Sequence, residues 1–290
     1  MERVRKDRMD GTWKEKQYDY KNNKWNVIKC DIIRGFNYNR YRYVICIFLV
    51  FAFIALFNVE MHNKTNVFPG FLDNVFYILR GFQVLGDSEN DLFLFPYVWI
   101  TIQFMCCFVT FDYISKDKKN VGIYYLVMSG DKNLWWFSKC IWNMLSVLAV
   151  YIIIWVLSAI IAVPGGGFKN EIDYNMFIIP RYKPDYGYSC KMLLVMIVLP
   201  LIYSVMISLV QMVISECIFP ILGIAVVMLI DILSVYFVSV GMLGNISMII
   251  RTDAYRADGI SVAAGIVISM IIYIAALFIG RRICLKDDYV

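Results

Sequence analysis

Few residues of this chain could do chemistry, and Asp231 is the most informative of them. It is the one charged residue in an apolar run from 218 to 240, where an acidic group costs at least about 2.5–3.5 kcal/mol to insert into a membrane. That cost favours a site inside a helix bundle or beside a water-filled cavity. The carboxyl group could belong to a transport path or a conformational switch. It could also be structural, protonated or hydrogen-bonded to Ser234, Gln103 or Tyr203, and Gln103 is itself a polar candidate for such a path.

Catalytic and cofactor sites lack their usual parts. His62 is the only histidine, so neither a multi-histidine metal site nor a Ser–His or Cys–His pair can be assembled inside a bundle. The glycines of 165–167 precede Lys169 with the wrong spacing for a phosphate-binding loop. The eight cysteines show no disulfide framework and are interpreted as small apolar residues. We therefore expect a protein that is not an enzyme and that binds no metal and no cofactor of its own.

Long apolar stretches are the elements that must position these residues. Hydrophobic residues make up 60 % of the 290 residues and charged residues 18 %, against about 45–50 % and about 25 % in soluble domains. Roughly 20 helical residues cross a hydrocarbon core of about 30 Å. The composition excludes a soluble globule, a disordered chain and a disulfide-rich secreted module. It predicts an all-α membrane protein with six transmembrane helices, at 43–59, 92–111, 141–163, 192–215, 218–240 and 260–280.

The basic residues predict the side of the membrane on which each end of the chain lies. With both termini in the cytoplasm, the inside segments 1–42, 112–140 and 281–290 hold 20 Lys and Arg, and the outside segments hold 8. This is the bias of the positive-inside rule. The predicted organisation is a polar cytoplasmic N-terminus at 1–24, a six-span domain at 43–280 and a cytoplasmic tail at 281–290, all at the cell membrane. The basic excess favours contact with membrane lipids, and no nucleic acid is expected because no folded basic face is evident.

Three segments between the spans carry further information. In 25–42, apolar residues recur at helical spacing, which predicts an interfacial amphipathic helix; a plain basic leader is the alternative. Segment 112–139 contains an apolar patch at 121–128, which predicts a short cytoplasmic helix that can offer its apolar side to a partner. A surface loop without a partner is the alternative there. Segment 241–259 predicts a re-entrant or interfacial hairpin on the outer face, with an ordinary outer loop as the alternative.

The order of these features resembles the permease subunits of type-2 ABC exporters. That family has an interfacial N-terminal helix, six spans, a cytoplasmic coupling helix between spans two and three, and a re-entrant element between spans five and six. In the best local match, an acidic residue ends span two, a glycine opens a turn with leucine, and basic residues precede and open span three. Val121 stands where the family usually has Ser, and the first of these basic residues is Lys where Arg is common. The matching positions are Asp112, Gly122, Leu126, Lys132 and Lys139.

The resemblance implies a partner that hydrolyses ATP. A cytoplasmic ABC ATPase subunit would bind the ATP and Mg and would hold the 121–128 helix in a surface groove, against Tyr124, Tyr125 and Leu126. A second permease copy, or a related permease, would complete the path in a cell membrane that is expected to be bacterial. The scarcity of polar residues in the spans suits a hydrophobic or amphipathic cargo, such as an antimicrobial peptide, a drug or a lipid-like molecule.

Two other classes of function stay open on the sequence. An ion-coupled secondary carrier usually has several buried ionisable groups or broken helices in paired repeats, and here Asp231 stands alone. A membrane anchor, sensor or immunity protein without transport activity would need no ATPase partner. Copurification with an ATP-binding subunit would separate the exporter from both alternatives.

Overall fold

The chain folds into helices. A computed structural model describes residues 24–82, 96–119, 131–163, 167–168, 172–173 and 190–286. Within these ranges there is no β-strand, and one isolated bridge joins Thr252 and Ile260. The α-helices in chain order are α1 (Lys24–Thr65), α2 (Phe71–Leu79), α3 (Tyr97–Thr110), α4 (Tyr113–Lys119), α5 (Lys132–Ala162), α6 (Cys190–Cys217), α7 (Pro220–Tyr236) and α8 (Val262–Lys286).

Five helical stretches of the described chain are long and apolar enough to cross a membrane. They lie in α1, in α3 together with α4, in α5, in α6 and in α8. The predicted span 218–240 corresponds to the shorter apolar helix α7, which starts at Pro220 and has 17 residues, a rise of about 26 Å. Its end is set by Phe237, whose backbone is extended. Several long apolar helices without strands are what a multi-pass membrane protein requires.

The long helices alternate in direction between two ends of the bundle. At the end that we call the loop end, Asn58 of α1 donates a hydrogen bond to Asn74 of α2 over 2.7 Å. At the opposite end, Lys132 at the start of α5 donates to the carbonyl of Leu285 near the end of α8. Helices α1, α5 and α7 therefore run towards the loop end, and α3, α6 and α8 run back. We call the opposite end the ion-pair end, after the charged side chains Asp31, Asp112, Asp117, Lys139 and Glu216.

The predicted interfacial helix 25–42 and the predicted first span 43–59 belong to one continuous helix, α1. No proline or glycine–serine pair interrupts it, and such residues are the usual cause of a sharp bend. Asp31 is buried, and a Cβ atom at Gly35 would overlap the indole of Trp142. This part of α1 therefore packs against α5. The structure thus has one helix over Lys24–Thr65 in place of two helices separated at residue 42.

The segment 241–259 lies at the loop end and forms two short 3-10 turns, Leu243–Ser247 and Ile249–Arg251. Most of the residues in these turns are buried by the surrounding helices. The ring of Tyr255, which follows the turns, stacks on Phe76 of α2 with 6.0 Å between ring centroids. Irregular backbone at the edge of a membrane bundle needs protein cover of this kind, because its polar groups would otherwise face lipid.

Helix α6 occupies the centre of the bundle, where it contacts α3, α5, α7 and α8. It contains Pro200, which removes one backbone hydrogen bond within the helix. One side of α6 carries the buried polar residues described below, and most of its other residues are apolar. It is therefore the helix on which polar groups from several neighbours converge.

Candidate functional site

A buried group of charged side chains surrounds Lys139 at the ion-pair end. The side chain of Lys139 is 0 % exposed, and its Nζ lies 2.5 Å from Oδ1 of Asp31 and 2.6 Å from Oδ2 of Asp117. Asp31 belongs to α1, Asp117 to α4 and Lys139 to α5, so one ammonium group joins three helices. Removing one partner of such a buried pair costs about 3–5 kcal/mol, because the other charge stays buried without compensation.

Further donors complete the hydrogen bonds of Asp31. The hydroxyl of Tyr113 donates to Oδ1 over 2.8 Å, and the hydroxyl of Ser138 donates to Oδ2 over 2.8 Å. The guanidinium of Arg34 lies 3.0 Å from Asp31 and 3.5 Å from Asp117. Two cations and two carboxylates therefore balance within the group, as a buried ionic site requires.

The short helix α4 is also held on two other sides. Asp112, directly before α4, accepts a hydrogen bond from Arg42 of α1 over 2.5 Å, and Nζ of Lys116 lies 2.8 Å from its other oxygen. Lys118 of α4 pairs with Glu216 at the end of α6. These ion pairs, together with Asp117, fix the chain immediately before segment 120–130.

The first turn of α5 fixes the chain immediately after that segment. Asp131 is the N-cap of α5, and its Oδ1 accepts from the backbone N–H groups of Asn133 and Leu134 over 3.0 and 3.1 Å. This satisfies donors that the start of a helix leaves unpaired. The indole N–H of Trp135 donates to Asp117 of α4 over 3.4 Å. The two ends of segment 120–130 are thus held against each other.

The structure places three of the seven residues that the resemblance assigned to coupling. Asp112 and Lys139 are ion-pair partners in the groups above. Lys132 is in the first turn of α5, where it donates to the carbonyl of Leu285 over 3.4 Å. The remaining four lie outside the described residues: Gly122, Tyr124, Tyr125 and Leu126.

Sequence reasoning missed the carboxylates that hold Lys139. Asp31 lies 108 residues before Lys139 along the chain, and no pattern within one helix connects them. The one local signal was the spacing of Asp31 and Arg34, which form an i, i+3 pair. That spacing predicts a surface pair on a helix, whereas both carboxylates of the group are buried.

Asp231, the predicted path or switch residue, lies inside the bundle. Its side chain is fully buried. Tyr203 of α6 donates a hydrogen bond to Oδ1, and Oδ2 has no hydrogen-bond partner among the described residues. Tyr203 is one of the three partners that the sequence suggested. Of the other two, Ser234 donates to the carbonyl of Ile230 instead.

Buried polar side chains continue along the same helix, α6. Ser204 donates to Oε1 of Gln103 over 2.8 Å, and Ser208 donates to Oδ1 of Asn143 over 2.9 Å. Nearer the ion-pair end, Oε1 of Gln211 accepts from a threonine hydroxyl of α3 over 3.0 Å. Within the part of the chain that the structure describes, the Nδ2 atom of Asn143 and the Nε2 atom of Gln211 have no partner. We call this set the polar ladder: Gln103, Thr110, Asn143, Tyr151, Ser204, Ser208 and Gln211.

A buried guanidinium fastens segment 241–259 at the loop end. Arg251 donates to the carbonyls of Phe82, Ser234 and Val235 over 2.7, 2.6 and 2.9 Å. Burial lowers the pKa of Arg251 to about 10, so the group stays charged at neutral pH. Ser234 and Val235 belong to the last turn of α7, where the helix dipole favours a cation. Arg251 therefore caps α7 at the loop end, because it donates hydrogen bonds to backbone carbonyls in the last turn of the helix.

Among the described residues, the bundle thus contains buried charged groups around Lys139 and at Arg251, and the uncharged polar ladder along α6. Among the described residues, no group of three or more His, Cys, Asp or Glu side chains could hold a metal ion. No protein-family model, curated protein or solved structure matches this chain. Its function has to be inferred from its own residues.

Proposed function

We propose that this chain is the transmembrane permease subunit of an ATP-driven exporter in a bacterial cell membrane. It crosses the membrane six times with both termini in the cytoplasm, and a separate ABC ATPase subunit binds ATP and Mg. A second permease copy, or a related permease, completes the path. The cargo is hydrophobic or amphipathic: a peptide such as an antimicrobial peptide, a drug or a lipid-like molecule.

The ion pairs around segment 120–130 are the observation that carries this proposal. A partner that drives a membrane subunit from the cytoplasm must push on an element that is fixed to the membrane helices. Helices α4 and α5 flank the segment, and Lys139 ties both of them to α1. A force on the segment would therefore reach three helices through buried contacts. Asp112 and Lys139, which the resemblance singles out, are both members of these ion pairs.

The alternating helices support the six-span arrangement. With α7 counted among the spans, six apolar passes run between the loop end and the ion-pair end, and both ends of the described chain, Lys24 and Lys286, lie at the ion-pair end. The ion-pair end would then face the cytoplasm, in agreement with the distribution of basic residues. Segment 241–259 would be the outer re-entrant element.

The test combines copurification with one charge substitution. The tagged chain, expressed with its neighbouring reading frames, should copurify with an ATP-binding subunit, and ATP should drive transport in proteoliposomes. Leu126→Asp should abolish transport while the partner continues to hydrolyse ATP, because the charge disrupts the apolar contact. Ile218→Asp introduces the same charge at an exposed position of the ion-pair end, between α6 and α7, and it should leave transport intact. Unchanged transport in Leu126→Asp would contradict a coupling role for 121–128.

A second candidate function is favoured by the uncharged surroundings of Asp231. An ion-coupled secondary carrier would use such a carboxyl group to bind its ion. Transport that survives ATP depletion but stops when the proton gradient is collapsed would identify a carrier, and the reverse would identify the exporter. An anchor, sensor or immunity protein would transport nothing in either experiment.

A further inference from the structure

Two buried carboxyl groups of this chain, Asp73 and Asp231, have opposite surroundings. Asp73, near the start of α2, accepts backbone N–H hydrogen bonds on both oxygens, from Gly70 and from Asp173, each over 2.8 Å. Donors of this kind stabilise an ionised carboxylate. Asp231 accepts one hydrogen bond, from Tyr203, and its Oδ2 has no partner in the described chain.

The surroundings of Asp231 do not compensate an ionised carboxylate. Within the described residues, no basic side chain forms an ion pair with it, and the turn Leu243–Ser247 that packs on α7 has no titratable side chain. An isolated carboxylate in an apolar interior costs so much that the group takes up a proton instead. The titratable side chains that face it from α3, α5 and α6 are uncharged at neutral pH: Cys106, Cys107, Tyr151 and Tyr203.

We propose that Asp231 is a proton-binding site whose carboxyl group stays protonated at neutral pH while it is buried in the bundle. Oδ1 accepts a hydrogen bond from Tyr203, and the proton resides on Oδ2. Exposure of the group to water would let the proton pass to water and leave a hydrated carboxylate. A conformation that exposes Asp231 would then bind one proton fewer, so a rise in pH would favour it. The site belongs to this chain alone and does not depend on an ATPase partner.

The polar ladder supplies the route by which this proton exchanges. Gln211 lies eight residues from Tyr203, about 12 Å along α6 towards the ion-pair end. Ser208 and Ser204 lie between them. The amide nitrogens of Asn143 and Gln211 that lack a partner among the described residues are buried donors of the type that ordered water usually satisfies. Water bound at these positions would connect the ion-pair end with Asp231.

Infrared spectroscopy of the full-length protein in lipid vesicles tests the proton site. A protonated carboxyl group gives a C=O stretching band that a carboxylate does not. We expect this band at neutral pH in the unmodified protein, its loss in Asp231→Asn and its retention in the control Asp73→Asn. Absence of the band in the unmodified protein, or its full retention in Asp231→Asn, would overturn the proposal.

A second variant keeps the test decisive if Asp231→Asn does not fold. Tyr203→Phe retains the carboxyl group but removes the hydrogen bond to Oδ1, so the same band should shift in frequency. The matched control is Tyr255→Phe, which removes the hydroxyl of another buried tyrosine, at the loop end, and should leave the band in place. An unshifted band in Tyr203→Phe would show that the protonated group is not Asp231.

Exchange in heavy water tests the route. The band moves as deuterium replaces the proton, and the rate of that change measures access of water to Asp231. Ser208→Ala removes one hydroxyl of the polar ladder and should slow exchange about two- to tenfold, the factor for one neutral hydrogen bond. Ser269→Ala removes an equally buried hydroxyl of α8 outside the ladder and should leave the rate unchanged. Equal rates in the two variants would overturn the ladder as the route.

Discussion

Replacement of Lys139 by methionine tests whether buried charge holds the ion-pair end together. Methionine retains an unbranched apolar side chain of similar length and removes the ammonium group. Asp31 and Asp117 then face each other across the space that Nζ occupied, and the partly exposed Arg34 is left to compensate both. Because removal of one partner leaves a buried charge behind, we expect the free energy of unfolding to fall by about 3–5 kcal/mol.

Lys64→Met is the matched control. Lys64 and Glu60 also form a pair at 2.5 Å, but their side chains are 49 % and 47 % exposed. An exposed i, i+4 pair on a helix contributes about 0.3–0.5 kcal/mol. Both variants can be compared by denaturant unfolding in detergent micelles followed by tryptophan fluorescence, since Trp135 contacts Asp117 and reports on the ion-pair end.

A double variant separates charge from packing. Asp31→Asn combined with Lys139→Met removes one charge of each sign and leaves Asp117 opposite Arg34. This variant should be more stable than Lys139→Met alone, because fewer buried charges lack a partner. A Lys139→Met protein that is as stable as Lys64→Met, or a double variant less stable than Lys139→Met, would refute the reasoning.

Two further predictions concern the loop end and helix packing. Arg251→Leu leaves the last carbonyls of α7 without their donor, at about 1–3 kcal/mol for each unpaired group. Proteolysis within 241–259 should therefore accelerate, and the partly exposed control Arg256→Leu should not change it; equal cleavage rates would contradict the role of Arg251. Gly280→Ala places a methyl group in steric overlap with the indole of Trp136 in α5 and should cost about 1–3 kcal/mol in the unfolding assay. In the control Gly241→Ala, the added methyl group lies 3.7 Å from its nearest neighbouring atom, so the free energy of unfolding should not change. If the two variants were equally stable, the tight packing at Gly280 would be excluded.

The helices could be predicted because each needs only a long apolar run, whereas their boundaries could not. The predicted third span, 141–163, lies almost wholly in α5, yet α5 begins at Lys132. In the sequence, Lys139 set the start of the predicted span, because a charged residue is normally excluded from an apolar membrane helix. In the structure Asp31 and Asp117 neutralise that charge, and the helix continues through it.

The candidate sites also differ in whether their burial depends on one helix alone or on the packing of several helices. The burial of Asp231 follows from its own position, since a carboxyl group in an apolar run avoids lipid. The partners of Lys139 depend on which helices lie side by side, and that information is absent from any one helix. Arg251 lies in the segment predicted as a re-entrant or interfacial hairpin, and its burial could not be predicted for the same reason. Its burial is explained by the carbonyls of Ser234 and Val235, which need a donor only because the segment folds back on α7.

The continuity of α1 has a mechanical consequence. Its 42 residues make a rod of about 63 Å, and a tilt of ~10° about the midpoint displaces each end by about 5 Å in opposite directions. Asp31 lies near one end of this rod, and Asn58, bound to α2, lies near the other. A sideways displacement of the ion-pair end of this helix would therefore be accompanied by an opposite displacement of its loop end. A tilt of α1 would thus move its contacts with α4 and α5 at the ion-pair end and its contact with α2 at the loop end in opposite directions.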